Sequence, residues 1–82
     1  MIKVDVNMSR HMPIQREMAM KITAVSDKYL STLTLEHKGI VLNLKSMIGL
    51  LSQAIPKDGR MVLIADGEDE VEAANEVTKL LA

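Results

Sequence analysis

The sequence predicts an α+β fold: a thin sheet with helices packed on one face, in the element order β-α-β-β-α-β-α. Three observations carry this. Ile2, Val4, Val6 and Met8 fall at every second residue, with Lys3, Asp5 and Asn7 between them, which is the period of a half-buried strand. Met18, Ile22, Val25 and Tyr29 step by four, three and four, which is one face of a helix. Two further strand-like runs flank the turn signal Lys38-Gly39. Helices gathered on one face bury such a sheet economically. The other face then meets solvent through Lys3, Asp5, Thr32, Thr34 and Glu36.

The elements follow in order. After the first strand, Ser9, Arg10, His11 and Pro13 make residues 9–15 a loop, because the residue before proline avoids helical angles. A helix is expected from about residue 15 to 29, with Glu17 in its first turn and Lys28 near its end, both favourable to the helix dipole. Ser31 to His37 alternates with Leu33 and Leu35 on one face, and Ile40 to Leu44 reads as the return strand of a hairpin. Met47, Leu50, Leu51 and Ala54 have helical spacing, and Pro56 ends that short helix. Arg60 to Ala65 is a nearly continuous apolar run suited to a central strand. Asp69 is placed to cap a final helix carrying Val71, Ala74, Val77, Thr78 and Leu81.

Length and composition bound the function. Eighty-two residues are expected to form a single domain (1–82), too small for a second core or a deep enclosed active site. Seven Met stand in for a nearly absent aromatic complement, so the core is built from adaptable side chains. Ten basic against eleven acidic residues give no electrostatic case for nucleic-acid binding. No cysteine is present, which excludes thiolate chemistry and disulfides. The first residues alternate and form no apolar signal core, and no run approaches membrane-span length, so a cytoplasmic location is expected.

Ser46 stands just before the helical spacing of Met47, Leu50 and Leu51, the position of an N-cap. The segment from Asn43 to Ser52 (NLKSMIGLLS) resembles the regulatory-serine motif of the HPr phosphocarriers of the bacterial sugar phosphotransferase system. Ser26 to Tyr29, Leu35 to Gly39 and Ile64 to Glu70 are also similar to that family, with no gap from about Gln15 onward. The resemblance implies an open-faced β-sandwich (HPr-like): a four-stranded antiparallel sheet under three helices.

The resemblance also implies a missing nucleophile. The family's phosphoryl-accepting histidine opens its first helix, followed by alanine, arginine, proline and alanine. Here that stretch reads Gln15-Arg16-Glu17-Met18-Ala19. An imidazole nitrogen attacks phosphorus, whereas an amide nitrogen is a very poor nucleophile. Glu17, where the arginine belongs, repels the phosphoryl group that a guanidinium would hold. The Crh branch of the family likewise carries glutamine there and keeps the regulatory serine. In HPr and Crh proteins an HPr kinase/phosphorylase modifies that serine, and the modified form meets the transcription regulator CcpA in carbon catabolite repression. The resemblance therefore implies a non-catalytic regulator phosphorylated at Ser46, with no cofactor. Its partner-binding residues would be Gln15, Arg16, Lys45, Met47, Ile48 and Leu51. Separately, the unpaired first strand of a thin sheet permits strand exchange between chains, so a monomer or weak homodimer is expected.

Other residues are weighed against this. Leu50 is expected to be buried, with Met47, Ile48 and Leu51 partly presented as a docking patch. His11 is an alternative phosphoryl acceptor, but it is read as an exposed loop histidine, and His37 as a surface residue. Two separate histidines make no metal site. Glu68, Asp69, Glu70 and Glu72 are explained as the acidic start of a helix. The competing functions are a working phosphocarrier using His11, or an interaction module in which neither phosphosite operates.

Overall fold

A computed structural model describes residues 1–11, 13–52 and 58–82. The described elements are β1 (Ile2–Asn7), a 3-10 turn (Ser9–His11), α1 (Arg16–Ser26), β2 (Thr32–His37), β3 (Ile40–Asn43), α2 (Met47–Ser52), β4 (Arg60–Asp66) and α3 (Glu70–Leu81). The expected order is observed, with the 3-10 turn added before α1. The placements expected for Ala54 and Pro56 lie outside the described residues. Among the described residues no helix is long and apolar enough to cross a membrane.

The strands form one antiparallel sheet in the order β1-β4-β2-β3. β4 is central, as its apolar run predicted. Its Leu63 stands opposite Val4 of β1 on one side and Leu35 of β2 on the other. Met61, Leu63 and Ala65 are buried beneath the helices with Leu33, Leu35 and Leu42, while Val62 and Ile64 are half-exposed on the open face. That open face also carries Thr34 and Glu36, paired with Ile64 and Val62. The β2–β3 hairpin turns at Lys38 and Gly39, with φ 44° and 86°. Positive φ at both central residues matches the twist of the flanking strands, and glycine tolerates it without a Cβ clash.

Three expectations about the helices are corrected. α1 ends at Ser26, not near 29, so Lys28 and Tyr29 lie beyond it. Past Ser26 the bonds tighten to the three-residue pattern, with Lys28 N–H on Val25 O and Tyr29 N–H on Ser26 O, each at 3.2 Å. The fully buried face of α1 is Ala19, Ile22, Thr23 and Ser26, while Met18 and Val25 flank it half-buried. Thr23 is accommodated there because its hydroxyl donates to Ala19 O at 3.0 Å. In α3 the buried residues are Ala73, Ala74, Val77 and Leu81, and Val71 is 60% exposed. Ala73 belongs to the buried face, and Val71, two residues before it, lies about 200° round the helix from it.

Candidate functional site

Gln15 is the N-cap residue of α1, with extended backbone (φ −98°, ψ 169°). Its carbonyl accepts the first helical bond, from Ala19 N–H at 2.9 Å. Its side chain makes no capping hydrogen bond. The amide is exposed and lines a shallow cleft of about 370 Å³ with Arg10, His11, Pro13, Glu17, Met18 and Lys21.

The histidine at 11 departs from the expectation of a plain exposed loop residue. It closes the 3-10 turn, is half-buried and faces the same cleft as Gln15. Its Nε2 lies 3.4 Å from the main-chain oxygen of Ala82. Arg16 is exposed and does not line the cleft, whereas Glu17 does. The basic residues of the cleft are Arg10 and Lys21, which the sequence reading did not single out. Lys21 was findable, because it follows Glu17 by four residues and so shares its helix face. Arg10 was not, because only the 3-10 turn brings it back beside α1.

Ser46 is the N-cap of α2. Its main-chain oxygen accepts from Leu50 N–H at 3.1 Å, and its hydroxyl oxygen accepts from Gly49 N–H at 3.1 Å. Ser46 is partly exposed. A Cβ on Gly49 would stand 3.3 Å from the Ser46 hydroxyl oxygen, so glycine leaves the cap room. Lys45 is tied down on both sides: its N–H donates to Asn43 Oδ1 at 2.9 Å, and its ammonium to Tyr29 O at 2.7 Å. Leu50 is 1% exposed and packs in the core, whereas Ile48 is 80% and Leu51 47% exposed, with Met47 between. α2 therefore presents an apolar surface next to a capped serine, and it packs beside α1.

A further cluster escaped the sequence reading. Asp69 holds the N-cap position of α3, yet its carboxylate makes no capping bond. It accepts instead from Leu30 N–H and Ser31 N–H, each at 2.9 Å, and from the Ser31 hydroxyl. The Ser31 hydroxyl first, and then the Leu30 N–H, hold the Asp69 carboxyl below its ordinary pKa. His37 ends β2 half-buried. Among the described residues no group of three His, Asp or Glu is spaced to hold a metal ion.

A four-stranded open sheet under three helices, with one helix opening on an exposed cleft and a second capped by serine, is the architecture of the HPr-like phosphocarrier fold. The comparisons agree. Residues 3–82 match the model of the family described as PTS HPr component phosphorylation site. The chain belongs to the HPr phosphocarrier family. HPr-C-His from Thermoanaerobacter tengcongensis shares the fold at a TM-score of 0.86 and 23% identity, over 99% of this chain and 91% of that one. The solution structure of Crh, the Bacillus subtilis catabolite repression HPr, is 30% identical over 98% of this chain and 93% of that one, with a TM-score of 0.69. A crystal structure of Bacillus subtilis Crh, described as a domain-swapped dimer, is 27% identical over 99% of this chain and 86% of that one, with a TM-score of 0.77.

Proposed function

We propose that this chain is a single-domain, cytoplasmic, Crh-like regulator: it lacks the phosphoryl-accepting histidine, is switched by phosphorylation of Ser46, and acts in carbon catabolite control by binding other proteins. The observation that carries this reading is the pairing of an inert head on α1 with a receptive head on α2. Gln15, in the histidine's place, offers an amide that does not attack phosphorus. Ser46, a partly exposed residue, offers a hydroxyl that already accepts the Gly49 N–H at the start of the helix. A phosphate on that oxygen brings negative charge to the positive end of a helix, so it adds a charged recognition feature without unfolding the cap. Met47, Ile48 and Leu51, with Lys45, Gln15 and Arg16, form the surface that a CcpA-like regulator meets, and an HPr kinase/phosphorylase writes the mark. Incubation with that kinase and ATP tests this. The reading expects one added phosphate, abolished by Ser46→Ala, and is contradicted if none is added.

A second reading is favoured by the position of His11 in the Gln15 cleft beside Arg10 and Lys21. An imidazole that shares a cleft with two cations is chemically able to accept a phosphoryl group there. Here the chain would remain a phosphocarrier of the sugar phosphotransferase system. Enzyme I with phosphoenolpyruvate distinguishes the two: acid-labile label lost in His11→Ala selects the carrier.

A further inference from the structure

β1 is an outer strand of the sheet, hydrogen-bonded on one side to β4 and, among the described residues, to nothing on the other. Its pairing with β4 runs unbroken from Ile2 opposite Ala65 to Asn7 opposite Arg60, so no bulge twists the edge away. It contains no proline. The opposite edge, β3, has only four residues against six in β1.

The free side of β1 has a defined bonding pattern. Met8 N–H donates to Gly59 O at 2.8 Å, toward the β4 side. Main-chain groups alternate sides along an antiparallel strand, so those of Val6, Val4 and Ile2 also face β4, and those of Lys3 and Asp5 face outward. A strand added to this edge must bond to Lys3 and Asp5.

The sequence of that strand is complementary to itself. In an antiparallel pair of two β1 strands centred on Val4, Lys3 stands opposite the partner's Asp5 and Asp5 opposite the partner's Lys3. Both side chains lie exposed on the open face of the sheet. On the helix-covered face Ile2 meets the partner's Val6, and Val4 meets the partner's Val4. Shifting the centre to Lys3 or to Asp5 sets like charges opposite each other, and centring on Ile2 or Val6 leaves Lys3 and Asp5 without an opposite charge, so the Val4-centred register is the one that pairs both charges. The half-buried Ile2 and Val4 continue into a groove of about 360 Å³ along α3, where Val71 is 60% exposed and Ala74 and Thr78 form the wall.

We propose that the partner of this edge is a second copy of the chain: two molecules pair through β1, antiparallel and centred on Val4, joining their sheets into one. The Lys3 and Asp5 side chains select the register, and their main-chain groups supply the bonds.

Sedimentation equilibrium of the full chain, with circular dichroism to verify folding, tests this through charge reversal at two solvent-facing positions. The wild-type chain is expected to dimerise at micromolar to millimolar concentration. Lys3→Asp and Asp5→Lys, each alone, place like charges opposite each other twice per dimer and weaken association roughly tenfold or more. The double variant K3D/D5K restores it. An equimolar mixture of the two single variants also restores it, because every cross-strand pair is then of opposite sign. A wild-type chain that stays monomeric throughout overturns the proposal. So does a dimer indifferent to the reversals: exchange of β1 between copies keeps Lys3 opposite Ile64 and Asp5 opposite Val62, and association through another face leaves both charges in water.

Discussion

Asp69 binds Ser31 across thirty-eight residues of chain, taking hydrogen bonds from its N–H and its hydroxyl while also taking the N–H of Leu30. This contact pins the start of α3 to the entry of β2. Gly67 makes it possible, since a Cβ there would stand 2.6 Å from Ser31 Cα and from Ser31 Oγ. Ser31 is fully buried, so its polar groups depend on this carboxylate.

The link makes stability depend on pH in one direction. The Asp69 carboxyl is held below its ordinary value of 3.8 by the Ser31 hydroxyl and the Leu30 N–H. Its contribution is therefore complete above that value and is lost as the pH falls through the lower, folded value. Asp69→Asn is expected to lower the urea midpoint near neutrality and to flatten the acid limb of the stability profile. In a double-mutant cycle, Asp69→Asn and Ser31→Ala are expected to be strongly non-additive. Additive effects would mean that the contact contributes nothing.

How far the fold was legible follows from what each signal depends on. Strand and helix periods are local, so the alternation of Ile2, Val4 and Val6 and the order of the elements were readable. The end of α1 was not, because the chain beyond Ser26 is directed by Asp69, a residue far away in sequence. Asp69 itself read as a helix cap because nothing local reveals which backbone lies across from it. His11 read as an isolated loop residue because the 3-10 turn that carries it back to the Gln15 cleft has no strong sequence mark. Ser46 was legible as a cap because both bonds it accepts lie within one helical turn.

Residues of α2 separate into structural and presented groups. Leu50→Ala is expected to destabilise by about 2–5 kcal/mol, the range for emptying a buried leucine site. Ile48→Ala is expected to leave the urea midpoint nearly unchanged, because that side chain already stands in water. Equal losses in the two variants would show that Ile48 is part of the core.

Ser26 offers a stabilising change. Its hydroxyl is buried with no hydrogen-bond partner among the described residues. Ser26→Ala removes that unpaired group and is expected to raise stability by about 1 kcal/mol, read as a shift in urea midpoint at constant slope. A loss of stability would reveal a partner for the hydroxyl.

The capping role of Ser46 is separable from its proposed role as a phosphosite. Ser46→Ala leaves Gly49 N–H without its acceptor and is expected to cost about 1 kcal/mol. Ser46→Asp supplies another acceptor and is expected to keep most of the wild-type stability.

The proposed inertness of the head of α1 is tested by substitution at Gln15 and Glu17. Gln15→His alone is expected to take phosphate from Enzyme I poorly, because Glu17 lines the same cleft and repels it. Gln15→His combined with Glu17→Arg is expected to become a phosphoryl acceptor. Equal labelling of the two variants would exonerate Glu17.

Intact-mass spectrometry after parallel exposure to the two phosphoryl donors bears most directly on the regulatory reading. We expect a single acid-stable phosphate from HPr kinase and ATP, located on Ser46, and no labelling from phosphoenolpyruvate through Enzyme I. An unmodified chain in the first reaction, or an acid-labile phosphate on His11 in the second, would contradict it.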